Sequence, residues 1–102
     1  MFARLLKYQT KIERIDEASK LFREKVIPLC KTQKGFKKAF FLADRATGAC
    51  LPMTFWNTEE DMLANEKNLF FQEQVIKFIN FFKTPPIREA YEVIVRRETS
   101  RS

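Results

Sequence analysis

The sequence predicts one α+β domain built in the order strand, helix, strand, strand, helix, strand. Two observations carry that expectation. Short apolar runs of strand length stand at both ends and in the middle of the chain, and between them lie two longer stretches whose apolar residues recur every three or four positions. Size and composition supply the third: 102 residues make one domain, and 45% hydrophobic residues, 11 phenylalanines, only 2 glycines and 4 prolines exclude a disordered or low-complexity chain.

Phe2 to Gln9 reads as the first strand, rich in large apolar side chains and too short before the next polar cluster to be a helix. From Lys11 to Gln33 the period changes. Ile15, Ala18, Phe22, Val26 and Leu29 form one stripe, opposite Asp16, Glu17, Lys20, Arg23 and Glu24. Pro28 lies inside this stretch, lacks an amide and crowds the Glu24 carbonyl, so a kink or an early end is expected. Gly35 closes the segment. Phe36 to Asp44 and Ala49 to Trp56 are the second and third strands, joined by a short turn in which Gly48 supplies a positive φ. Thr58, followed by Glu59, Glu60 and Asp61, caps a second helix and places acids where the helix dipole favours them. That helix is expected to break near Asn65 to Asn68 and to resume with Phe71, Val75, Phe78 and Phe82 on its stripe, leaving Phe70 and Phe81 off it. Pro85 and Pro86 end it, and Ile87 to Arg97 forms a fourth strand alternating through Tyr91, Val93 and Val95.

This order is the split βαβ of ferredoxin-like domains: a four-stranded antiparallel sheet with two helices on one face. Residues 1–98 are expected to form the domain and 99–102 a C-terminal tail. The second face of the sheet is also apolar. In strand two, Phe36, Phe40 and Leu42 point one way and Ala39, Phe41 and Ala43 the other; in strand three, Leu51, Met53 and Phe55 oppose Cys50, Thr54 and Trp56. A sheet with one wet face alternates apolar with polar residues, so a second copy of the chain is the expected cover. Pro52 falls in what the topology makes a central strand, where a bulge is expected to absorb it.

Simple counts remove several functions. No stretch approaches the apolar length of a membrane-spanning helix, and Arg4 and Lys7 interrupt the start before a signal-peptide core could form, so a cytoplasmic protein with no membrane partner is expected. Cys30 and Cys50 lack the spacing of a zinc or redox pair. The absence of histidine removes the commonest metal ligand and general base, and no cofactor is expected. The net charge of +6 invites a nucleic-acid reading. No run of five or six like charges supports one, and a solvated surface is the expectation.

The apolar first strand, the Val26-Ile27-Pro28 helix end, the Lys34-Gly35-Phe36 turn, the Asp44-Arg45 to Gly48 hairpin and, above all, Thr54-Phe55-Trp56 followed by Thr58-Glu59-Glu60-Asp61 resemble the antibiotic biosynthesis monooxygenase-like family. That family belongs to the dimeric α+β barrel superfamily, and the resemblance covers nearly the whole chain. It implies a homodimer in which two sheets pack face to face. Haem-degrading members resemble this chain around the third strand, but place an asparagine, a tryptophan and an iron-ligating histidine where Leu6, Asn65 and Val75 stand here. Haem chemistry of that type is therefore not expected.

In the cofactor-free oxygenase branch an electron-rich phenol loses a proton and reacts with dioxygen itself, so the protein need only bind the aromatic, stabilise its anion and exclude water. Trp56, Phe71 and Tyr91 are candidate aromatic walls, Arg4 or Arg88 a candidate phenolate clamp, and Asn57, Gln72 and Gln74 candidate orienting amides. Arg4 on an apolar strand needs a partner, for which Glu89 or Glu92 on the fourth strand would serve. No nucleophile with its base, phosphate loop or carboxylate pair is found. A non-catalytic ligand-binding or structural dimer therefore stands beside the oxygenase as an alternative. An RNA-binding domain of the same topology is disfavoured, because the aromatic-bearing motif of such modules is missing.

Overall fold

A computed structural model describes residues 1–99; the predicted tail beyond Thr99 lies outside the described residues. Strands β1 (Phe2–Gln9), β2 (Phe36–Asp44), β3 (Ala49–Trp56) and β4 (Ile87–Glu92) form one antiparallel sheet in the order β2-β3-β1-β4. Helices α1 (Ile15–Leu21), α2 (Ile27–Cys30), α3 (Glu59–Lys67) and α4 (Phe70–Ile76) cover one face. The core lies between them: Leu6, Tyr8 and Cys50 of the sheet meet Ile15, Ala18, Phe22 and Val26 from the first helical run and Phe78 and Phe81 from the second. This is the ferredoxin-like arrangement that the element order predicts.

Pro28 shapes the first helical run as expected. Residues Phe22–Val26 form a π turn in which the Ile27 amide reaches back to the Phe22 carbonyl, and Pro28 then falls in the first turn of α2, where its missing amide costs least. The extra residue keeps both Phe22 and Val26 buried. The run ends at Cys30, short of Gln33. In the second run the Thr58 hydroxyl accepts from the Asp61 amide at 3.0 Å, and the predicted break falls at Asn68–Leu69. Phe81 corrects the sequence reading. After Ile76 the chain tightens into a 3-10 turn (Ile79–Phe81), which shifts the phase of the stripe and buries Phe81 with Phe78.

Two features of the sheet also differ from expectation. Pro52 makes no bulge: it pairs with Phe41 in unbroken register, while the β1 ladder keeps its offset and opens opposite Leu6 and Lys7, where proline has no amide to give. The bulge lies instead between Phe36 and Lys38. It reverses the alternation locally, so Phe36 leaves the face of Phe40 and Leu42 and packs on Trp56, ring centroids 5.5 Å apart. The fourth strand stops at Glu92 and not at Arg97, because its partner β1 begins at Phe2. The Val93 amide closes the ladder on the Met1 carbonyl at 2.9 Å. Gly48, at φ 84°, sits where a Cβ would run into the Thr10 carbonyl.

The register places Ala3, Leu5, Phe40, Leu42, Leu51, Met53, Phe55, Ile87 and Tyr91 on the face away from the helices. Phe40 is 48% exposed and Tyr91 55%. Among the described residues no helix is long and apolar enough to cross a membrane.

Candidate functional site

Arg4 is the charged residue that β1 carries into the interior. Its position in the strand is even, like Leu6 and Tyr8, and the pleat therefore points it at the helices; its side chain is 3% exposed. A buried guanidinium needs acceptors, and α3 supplies them. Arg4 Nη1 donates to the Met62 carbonyl at 3.0 Å and to Glu66 Oε2 at 2.9 Å. Glu66 also accepts from Arg88 Nε at 2.9 Å and Nη2 at 2.7 Å. The partners proposed from the sequence, Glu89 and Glu92, are not used. Opposite Arg4 on β4 stands Ala90, while Glu89 faces the other side of the sheet, 4.0 Å from Lys7. The i, i+4 pair Met62 and Glu66 is the signal in the sequence that could have revealed the true partner.

The cation is bracketed by aromatic rings. Its guanidinium carbon lies 4.1 Å from the Phe71 ring centroid and 5.4 Å from that of Trp56, within the range of a cation–π contact. Arg4 Nε and Nη2 donate to no protein acceptor among the described residues. Two guanidinium groups share one carboxylate, so the cluster keeps a net positive charge. Burial pulls Arg4 below its ordinary value, with the Glu66 hydrogen bond opposing it. For Glu66, burial raises the pKa, but the hydrogen bonds from Arg88 and Arg4 outweigh it and hold the carboxyl below the ordinary range.

Arg4 forms part of the wall of a cavity of about 50 Å³ between sheet and helices. The sheet contributes Arg4, Leu6, Pro52 and Thr54; the first helical run contributes Phe22, Val26 and Cys30; the second contributes Phe70, Phe71, Gln74, Val75 and Phe78. The lining is apolar apart from Arg4, the Thr54 hydroxyl, the Gln74 amide and the Cys30 thiol. Burial pushes that thiol up to about 11, so it is neutral. Gln74 is engaged locally, donating to the Phe70 carbonyl at 3.3 Å and accepting from Lys77 at 2.8 Å. Such an arrangement can hold a planar anion against Arg4. Among the described residues its lining has no carboxylate or imidazole to act as a base, and no cluster of three metal-ligating side chains occurs.

The residues singled out from the sequence divide accordingly. Arg4, Phe71 and Gln74 line the cavity. Trp56 stands one layer behind, fully buried, its indole donating to Thr54 Oγ1 at 2.9 Å. Asn57 is exposed at the end of β3, its amide on the Gly35 carbonyl at 2.7 Å, and Tyr91 lies on the opposite face of the sheet. Gln72 is exposed, bonded to the Glu66 carbonyl at 3.2 Å. Sequence reasoning missed Glu66, Thr54 and Cys30. The last two read as ordinary strand and helix residues until the cavity brings them together.

No family model and no curated protein matches the sequence. Solved structures do match the fold. A provisionally named antibiotic biosynthesis monooxygenase from Bordetella bronchiseptica superposes with a TM-score of 0.74 at 14% identity, over 92% of this chain and 97% of that one. A monooxygenase from Streptomyces coelicolor, solved in complex with nanaomycin D, gives 0.72 at 14% identity, over 97% and 92%. A Nitrosomonas europaea protein of unknown function gives 0.71 at 14% identity, over 97% and 94%. Identities of this size speak to architecture, and the chain has the fold of the antibiotic biosynthesis monooxygenase-like proteins.

Proposed function

We propose that the protein is a monooxygenase-like homodimer that binds a small phenol or quinol between its helices and sheet and supports oxygenation of that ligand without a cofactor. One observation carries the reading: a buried arginine with unused donors, stacked on Phe71, in the wall of an otherwise apolar cavity. A phenol placed against Arg4 ionises more readily than in water, because an opposite charge within hydrogen-bonding reach favours the anion. The electron-rich phenolate then reacts with dioxygen. One oxygen atom enters the ring as the second carbonyl of a quinone, the other leaves as water, and the substrate supplies all four electrons and both hydrogens. The protein's part is to orient the ring, stabilise the anion and keep water out.

The dimer belongs to the same reading. The half-exposed apolar face of the sheet, with Phe40, Leu42 and Tyr91 about half exposed, supports such a dimer, and the free thiols of Cys30 and Cys50 suit the reducing cytoplasm. A non-catalytic binding role is the second reading, favoured by the lack of a base in the described lining. Titration with 1-naphthol and a panel of quinols, followed by Trp56 emission and an oxygen electrode, separates the two. Saturable emission change with oxygen uptake supports oxygenation; emission change alone supports binding. Neither response in a folded protein, or an undiminished response in Arg4→Met, overturns the site.

A further inference from the structure

The cavity as it stands does not admit the ligand its chemistry suits. A volume of about 50 Å³ compares with about 150 Å³ in cavities that take up benzene, so one wall must move. The sheet floor is held by the ladders that flank β1 and β3, open only opposite Leu6 and Lys7 between those two strands, and Phe22, Val26 and Cys30 belong to the buried core. The remaining wall is α4, which contributes Phe70, Phe71, Gln74 and Val75.

The attachments of α4 are few and sit at its ends. At the N-terminal end Leu69 takes φ 68°, ψ 8°, a left-handed conformation that is strained for a residue other than glycine, and its side chain is 59% exposed. At the other end the helix gives way to the 3-10 turn after Ile76. Among the described residues, and apart from bonds to α3 and to the flanking Asn68, Leu69 and Phe78, one hydrogen bond ties residues 70–77 to the rest of the domain: Lys77 Nζ donates to the Lys25 carbonyl in the π turn at 3.1 Å. Phe70, Phe71 and Val75 beneath α4 are only half-buried.

We propose that α4 is a hinged lid over the cavity, turning about Leu69, latched by Lys77 on the Lys25 carbonyl, and opening to admit a ring-sized ligand to Arg4. The proposal rests on reading the cavity as a site for an aromatic, and its test is arranged to fail separately from that reading. The two native thiols serve as reporters. Cys30 lines the cavity behind α4, whereas Cys50 lies against Tyr8 and the Gly48 carbonyl, away from the lid. Both are at most 2% exposed, so each reacts only when something opens.

The experiment labels the native protein with methyl methanethiosulfonate without ligand, following each cysteine by peptide mass spectrometry. A hinged lid makes Cys30 react at least about tenfold faster than Cys50. Lys77→Met, which removes the latch, should speed Cys30 severalfold and leave Cys50 unchanged. Leu69→Gly, which relieves the left-handed strain of the closed form, should slow Cys30. Equal rates at the two cysteines, or faster labelling of Cys50, overturn the lid, because the thiols would then be reporting global or unrelated opening; the wild-type comparison suffices if a variant does not fold. Protection of Cys30 by 1-naphthol supports the aromatic reading as well. Fast labelling of Cys30 without protection keeps the lid and removes the aromatic ligand.

Discussion

On one face of the sheet Leu6, Tyr8, Phe41 and Cys50 meet the helices; on the other Phe40, Leu42, Leu51, Met53 and Phe55 meet none of them. The two sets are chemically alike, yet the second leaves Phe40 and Leu42 nearly half exposed. The difference teaches that residue type does not tell which face is the core of the subunit. The helices choose, and they choose the face that carries Arg4, since α3 alone brings the carboxylate that a buried guanidinium requires. The face left over keeps an apolar surface that a second copy is proposed to cover.

The neighbours Phe41 and Phe40 break the comparison most sharply. Phe41, half-buried, packs against Phe22 of the core, ring centroids 5.6 Å apart, so Phe41→Asp places a charge against the core and should cost about 3 kcal/mol, a large part of the stability of a small domain. Phe40→Asp should keep the far-ultraviolet dichroism of the wild type and shift light scattering at micromolar concentration to the 12.1 kDa monomer. A Phe41→Asp variant as stable as the wild type would show that the faces are assigned the wrong way round.

Glu66→Gln comes next. It leaves Arg4 buried with its charge uncompensated, while Glu66 itself keeps 19% side-chain exposure, so about 2 kcal/mol should be lost in urea denaturation, below the range for a fully buried pair. No loss would mean that the Met62 carbonyl suffices for Arg4. A smaller effect distinguishes the adjacent residues Trp56 and Phe55, which point to opposite faces. Trp56→Phe should cost about 1 to 2 kcal/mol of subunit stability by removing buried area and the hydrogen bond to Thr54, whereas Phe55→Ala should weaken association with little change in subunit stability at low concentration.

The smallest effect concerns pH. The Glu66 carboxyl is held below its ordinary value in the folded chain. Its contribution is therefore complete above the titration range of the unfolded carboxyl and is lost as pH falls through the folded value. The stability gap between wild type and Glu66→Gln should stay constant near neutrality and close as the pH is taken below the ordinary 4.5. A gap that persists at low pH would mean that the variant fails for a packing reason.

Much of the fold was legible because its signals are local. Thr58 with its three acids announces a helix start, Pro28 forces the helix to deform within one turn, Gly48 marks the hairpin, and the change of period separates helix from strand. The misreadings concern places where one residue shifts the phase of everything after it. The bulge at Phe36 reverses a side chain, and the 3-10 turn after Ile76 brings in Phe81. The site was half legible. Arg4 stood out as a charge in an apolar strand, and Phe71 and Gln74 reach the cavity with it, but Tyr91 fell on the far face because β4 alternates and pairing with Ala3 sets its parity.

By itself the sequence determined the order and type of the elements, the start of α3 at Thr58, and the presence of two apolar sheet faces, since each follows from backbone chemistry and periodicity over a few residues. Only the tertiary structure decided that Glu66 and not Glu89 answers Arg4, that Thr54 and Cys30 share a cavity with Phe71, and that α4 closes it. Those outcomes depend on distances between segments about 20 to 60 residues apart, which are set by how the helices pack on the sheet and not by any local preference.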